Sequence, residues 1–159
     1  MTSRILTITA LVGSAVSGGV LFAFSSFVMR ALADLPDEEG IAAMQSINRK
    51  APTPLFMVVF LGTAAVCVAL FVVAVRHSGL PASRYQMIGS ALYLAGILLT
   101  VVYHVPHNDA LALVDPTSPG ASHAWRSYVT DWTAWNHVRT LTSVTGSVVL
   151  TFALTAGSI

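Results

Sequence analysis

Four stretches of the chain carry no Asp, Glu, Lys or Arg: Ile5 to Met29, Pro54 to Val75, Tyr85 to Asn108 and Thr140 to Ile159. Each holds at least 20 residues. About 20 apolar residues at 1.5 Å rise cross a hydrocarbon core of roughly 30 Å. The pattern therefore predicts an all-α protein, a four-transmembrane-helix antiparallel bundle with spans at about 5–29, 54–75, 85–105 and 136–157 in a single membrane domain, 1–159. The first stretch exceeds the apolar core of a cleaved signal peptide, about 7–15 residues, and Arg30-Ala31 makes a poor cleavage site.

The polar positions between the spans are unevenly spread. Arg76 to Arg84 is a tight connection through Gly79, Leu80 and Pro81, which makes spans two and three antiparallel neighbours. Arg30 to Thr53 and Asp109 to Arg139 are long and fall together on the opposite side. In the first of them, Leu35-Pro36-Asp37-Glu38-Glu39 reads as a helix start, with proline in the first turn and acids at the positive end of the dipole. Arg49 and Lys50 suit its other end, and Pro52 and Pro54 stop it. Ile41, Met44 and Ile47 form an apolar stripe with Gln45, Asn48 and Arg49 beside it. The reading is an amphipathic helix over residues 36–50, lying across the mouth of the bundle. Beyond a Pro/Ser/Gly stretch at 115–122, a helical approach from Trp125 to Trp135 feeds the last span.

Composition removes the soluble alternative. Charged residues make up 9% of the chain, against roughly 25% in a soluble domain. A net charge of +1 gives no reason to expect a nucleic-acid partner. Cys67 stands alone in mid-span and reads as a packing residue. All seven acidic residues sit in the long loops, and the short-loop side carries Arg4, Arg76 and Arg84 without an acid. Orientation follows Lys and Arg rather than net charge, and five of the eight basic residues lie in the long loops. The expectation is a protein of the cell (inner) membrane with its long loops on the non-cytoplasmic side.

Polar residues within a span face other helices or a cavity, because lipid cannot satisfy them. Ser14, Ser17, Gly18 and Ser25 share one face of span one and read as close-packing positions. In span three, Gly89, Tyr93, Gly96, Thr100, Tyr103 and His107 follow spacings of three and four, with His104 beside the stripe. Pro106 is expected to end regular helix there, so that His107 projects from a turn. In span four, Trp132, Trp135, Asn136, Arg139, Ser143, Gly146 and Ser147 lie on one side. Trp and Tyr at this depth also serve as interface anchors. Arg139 fits that bland account less well: an inward arginine at the membrane edge pairs with an acid or binds an anionic group. His137 points away from the stripe, and His77 and His123 read as ordinary loop residues.

Several blocks in sequence carry a resemblance. They are Phe24-Ser25-x-Phe27-Val28-Met29, Leu35-Pro36, Ala43-Met44-Gln45-x-Ile47-Asn48-Arg49, Val105-Pro106-x-Asn108 and Trp132-x-x-Trp135-Asn136-x-x-Arg139-Thr140. Together they resemble the signature blocks of the anthrone oxygenase-like integral membrane proteins, a domain-of-unknown-function family with many bacterial members. The resemblance implies an oxidoreductase of oxygenase type, since fungal members oxidise anthrones to anthraquinones with molecular oxygen. This chain has His104 and His107 where an Asn and a Leu are frequent in the family's Asn-Val-Pro-Leu-Asn motif.

Oxidising an anthrone needs a base for an acidic C–H, a stabiliser for the enolate oxygen, and a flat apolar pocket. His104 or His107 suits the first role, with an ordinary pKa near 6.5. Arg139, helped by Asn136 or Asn48, suits the second. Phe24, Tyr103, Trp132 and Trp135 suit the walls, with Gln45, Arg49 and Asn108 at the rim. The same parts suit binding a quinone or another flat lipid, so a non-enzymatic binding module or a subunit of a larger complex stays open. No cofactor is expected. A metal ion at His104 and His107, with Asp109 and His137, is the alternative, but no His-Glu-x-x-His or paired Glu-x-x-His motif supports it. The expected partners are the bilayer, an apolar aromatic small molecule and a second copy of the chain in a homo-oligomer.

Overall fold

A computed structural model describes residues 2–156, so the end of the fourth charge-free stretch, residues 157–159, lies outside the described residues. The chain is helical throughout, with α1 (Thr2–Ala23), a π turn (Phe24–Val28), α2 (Met29–Ala33) and α3 (Asp37–Lys50). Then follow α4 (Pro54–Arg76), α5 (Pro81–Leu99), a second π turn (Thr100–His104), α6 (Val105–Ala112) and α7 (Ala121–Ala156). Four stretches are long and apolar enough to cross a membrane: Ser3–Ala33, Pro54–Arg76, Pro81–Ala112 and Ala121–Ala156. The protein is an integral membrane protein.

Local chemistry sets the helix ends. Thr53 caps α4 by accepting the Phe56 N–H at 3.2 Å, and Pro54 and Pro81 each open a helix where a missing N–H costs little. Ser83 Oγ donates to the His77 carbonyl at 2.7 Å, tightening the short turn between α4 and α5. Asp37, Glu38 and Glu39 occupy the first turn of α3, and Arg49 and Lys50 the last. Gly120, with φ of 94°, makes the left-handed turn into α7 that a side chain would strain.

Each long helix packs against two others, in the order α1, α4, α5, α7 and back to α1. Gly13 faces Thr63, and Gly18 faces Ser143 and Val144 while Ser25 reaches Thr140, so these neighbours run antiparallel. Small residues allow the close approach. A Cβ on Gly89 or on Gly146 would stand 3.0 Å from the other's carbonyl oxygen, which brings α5 and α7 into backbone contact. Tyr93 ties three helices together, its hydroxyl lying 3.0 Å from Ser17 Oγ and donating to the Phe60 carbonyl at 2.9 Å. The lower stripe of span three is therefore packing surface.

The helix of span three does not stop at Pro106. It passes through the π turn and resumes as α6 with Pro106 in its first turn, where a missing N–H does least harm. The extra residue in that turn also rotates the register. His104 is buried and Tyr103 only half-buried, the reverse of a stripe counted at regular helical spacing.

At 1.5 Å per residue, the 31 residues of Ser3–Ala33 and the 36 of α7 extend about 46 and 54 Å. Both exceed a hydrocarbon core of about 30 Å. The projecting ends need a cover, and α3 supplies it. Ile41 and Met44 pack with Met29, Leu32, Leu111, Trp125, Tyr128 and Trp132 in a core separate from that between the spans. Asp37 pairs with Arg126 at 3.2 Å at the exposed lip. A hydrogen bond from Ser122, and then Arg126, hold its carboxyl below the ordinary range.

Gly40 is the tightest point of this cover. An added Cβ would stand 2.8 Å from the Leu32 carbonyl oxygen and 2.9 Å from the Trp125 ring. Gly40→Ala should therefore destabilise the detergent-solubilised protein by about 1–3 kcal/mol, as overpacking does. Gly62→Ala, which meets nothing within 4 Å, should not. SDS-unfolding titrations of the two variants would show the difference, and equal curves would mean that α3 yields at Gly40.

Candidate functional site

One face of α7 is polar where lipid offers no partners. Trp132, Asn136, Arg139 and Ser143 recur at spacings of four, three and four, and all are buried. Asn136 is the organiser. Its Nδ2 donates to the Leu21 carbonyl and to Ser25 Oγ, each at 2.8 Å, and its Oδ1 accepts from Arg139 Nη2 at 2.6 Å. Arg139 Nη1 donates to Thr100 Oγ1 at 3.2 Å, and the guanidinium lies 5.3 Å from the Trp132 ring centroid.

Arg139 is only 5% exposed, and its Nε–H has no acceptor. Among the described residues the ion pair that forms is Arg126 with Asp37, and no carboxylate reaches Arg139. A charge buried without a counter-ion costs several kcal/mol, and pairing is the usual remedy. Neutral hydrogen bonds and the indole face offset part of that cost. They leave the positive charge itself uncompensated.

Two further buried polar atoms without a partner stand in the same cluster. His104, 1% exposed, sets its ring edge-on to Trp132 with centroids 5.2 Å apart, and its Nε2 is unpartnered. Its Nδ1 is 3.5 Å from the Leu99 carbonyl, at the outer limit of a hydrogen bond. The Trp132 carbonyl also lies against this ring, so Nε2 keeps a free lone pair only in the tautomer that carries its proton on Nδ1. The third atom is Asn48 Nδ2 on α3, whose side chain lies beside Tyr128. The Tyr128 hydroxyl donates to Asn108 Oδ1 at 2.8 Å, and the same oxygen accepts from Trp132 Nε1 at 2.9 Å. Phe24 closes the group, 5.7 Å from Trp132 between centroids.

Both π turns border this cluster. One carries Phe24 and Ser25, the other Thr100 and His104. A wide turn inserted in an α-helix recurs at functional sites because it redirects one side chain without ending the helix. Here the redirected residues meet Asn136 and Arg139.

The structure thus brings together Phe24, Asn48, His104, Asn108, Trp132, Asn136 and Arg139. The remaining candidates lie elsewhere. Tyr103 stacks on His107 with centroids 3.8 Å apart and packs against Trp135 at 5.3 Å, forming an outward aromatic group. Trp135 is 44% exposed, and His107 Nδ1 sits 2.7 Å from the Tyr103 carbonyl one turn back on its own helix. Gln45 donates from Nε2 to the Leu111 and Val114 carbonyls, both at 2.9 Å, and so satisfies the chain at the end of α6. Arg49 is exposed at the end of α3. Among the described residues no three His, Cys, Asp or Glu side chains stand close enough to hold a metal ion, so His104, His107, Asp109 and His137 do not form the alternative ligand set.

Tyr128 joins the cluster although no motif pointed to it. Its signal was present, since Trp125, Tyr128, Trp132, Asn136 and Arg139 continue one helical stripe back into the approach segment.

A family model described as anthrone oxygenase matches residues 56–149. The chain belongs to the anthrone oxygenase family. The matched stretch holds His104, Asn108, Trp132, Asn136 and Arg139, whereas Phe24 and Asn48 precede it. No curated protein and no solved structure matches the chain.

Asn108 is the joint between Tyr128 and Trp132. Asn108→Ala should cost about 1–3 kcal/mol for each donor left without an acceptor. Asn108→Asp keeps the oxygen and should lose less. Equal losses in SDS unfolding would mean that Asn108 only fills space.

Proposed function

We propose that this protein is a membrane oxidoreductase of oxygenase type whose substrate is a flat, apolar aromatic compound of the anthrone or quinone class. The observation that carries the reading is Arg139: a buried guanidinium without a counter-ion among the described residues, packed with His104 against the Trp132 ring. Such a cation asks for an anion that is not a fixed part of the chain. An enolate oxygen formed during reaction meets that need and is stabilised only once it forms, which is the differential binding that accelerates a reaction.

In this reading His104 Nε2 takes a proton from the methylene carbon opposite the ketone of an anthrone. The electron pair moves to the ketone oxygen, which Arg139 holds. The electron-rich ring system then reacts with molecular oxygen at the former methylene carbon. One oxygen atom becomes the second carbonyl of the anthraquinone, and the other leaves as water with the two methylene hydrogens. Trp132 and Phe24 provide aromatic faces, and Asn136 fixes the guanidinium. The short loop, with Arg76 and Arg84 and no acid, supports an orientation in which the mouth opens on the non-cytoplasmic face of the cell membrane.

A second reading is a binding protein without chemistry, for a lipid or quinone. The cavity between α6 and α7 favours it, since its lining includes none of His104, Asn136 and Arg139.

Oxygen uptake with an anthrone by the protein in detergent separates the two. Arg139→Gln should lower kcat/KM about 10²–10³-fold, as loss of an oxyanion donor does. His104→Ala should lower it about 10²–10⁴-fold. Saturable binding of anthrones, phenols and quinols without oxygen uptake above background would favour the binding protein.

A further inference from the structure

The closed packing at Arg139 raises the question of how a substrate arrives, and one cavity answers it. It measures about 300 Å³ and lies between α6 and α7. Tyr128 belongs to both places. Its ring lines the cavity, while its hydroxyl shares Asn108 Oδ1 with Trp132, whose ring faces Arg139 and His104. Two aromatic side chains thus separate the cavity from the guanidinium.

The lining describes its occupant. Leu111, Val114 and alanines form apolar wall, and Tyr128 offers a ring. His107, His123, Ser127 and Asp131 place donors and acceptors around it. That combination suits a flat ring system carrying hydroxyl groups. The volume is at the small end for ligand pockets, enough for a compact ring system. We propose that this cavity is a separate docking site for a compact hydroxylated polycyclic aromatic, and that Tyr128 is the wall it must displace to reach Arg139. The proposal rests on the function proposed above and adds to it a docking site and an approach route. It also gives His123, an ordinary loop residue in the sequence, a place in recognition.

The test uses 1,8-dihydroxyanthraquinone as the probe, with quenching of tryptophan fluorescence in detergent micelles as the readout. Wild-type protein should show saturable quenching. Ala124→Leu and Ser127→Leu both fill the cavity from α7 and should weaken binding at least tenfold while retaining wild-type helical circular dichroism. Arg139→Gln should bind the probe within twofold of wild type, because docking precedes contact with the guanidinium. Unchanged binding in both cavity-filling variants would overturn the docking site, and so would loss of binding in Arg139→Gln alone. Wild-type oxygen uptake with an anthrone alongside either result would leave the proposed function standing. Probe binding that follows the docking pattern without oxygen uptake would support the docking site and count against the oxygenase.

Discussion

A guanidinium buried without a counter-ion is the constraint from which the rest of the mouth follows. Arg139 lies on a helix that crosses the membrane, and it is nearly inaccessible to solvent. Held by Asn136, Thr100 and the Trp132 face, it is oriented without being neutralised. Each holder is itself fixed from another helix. Asn136 bonds to Leu21 and Ser25 on the first span, and Trp132 bonds to Asn108 on the third. Removing the charge would let the mouth pack as ordinary apolar core, as replacing a buried ion often does. In the function proposed above, a hole for a transient anion is the physical reason for keeping it.

The two π turns look like irregularities in otherwise plain membrane helices, yet they solve a geometric problem. A regular helix entering this cluster would present either Tyr103 or His104 at the cost of the stripe below. With one extra residue, Gly89, Tyr93 and Gly96 stay on the packing face while His104 is turned inward. The first span uses the same device, setting Ser25 against Asn136 and Thr140 with Phe24 against Trp132. Such turns are tolerated in a membrane only where surrounding polar groups compensate the disturbed ladder. Both border the polar face of α7, where Ser25 meets Asn136 and Thr100 meets Arg139.

Most of the architecture was legible because a bilayer imposes a simple rule on sequence. Four charge-free runs read directly as spans, and the 36–50 helix was marked by its prolines, its acids and its basic end. The inward faces of spans one and four were equally plain, since Ser14, Ser17, Asn136, Arg139 and Ser143 have no business facing lipid. What spacing could not show was the change of period. Counting at three and four carried Tyr103 and His107 onto the stripe and left His104 beside that stripe. The π turn reverses that order, and no residue type in Thr100–His104 announces it. Gln45 is different: a polar side chain next to an apolar stripe looks free to bind ligand until the carbonyls of Leu111 and Val114 are known to lie opposite it. Tyr128 was overlooked because the polar stripe was started at Trp132 rather than followed back beyond the expected membrane boundary.

The separation between cavity and cation bears on how such a site avoids harm. An unpaired guanidinium open to water would bind any small anion, and its charge would be screened before a substrate arrived. Behind Tyr128 and Trp132 it stays dry, so its field acts at low dielectric on whatever displaces the rings. Displacement also selects. On the route proposed above, only a molecule that offers ring faces of its own in place of Tyr128 and Trp132 would reach the charge, which a phosphate or a fatty-acid carboxylate does not. On that route the aromatic lining would serve as wall and as filter, and one helix carries Tyr128, Trp132 and Arg139 together.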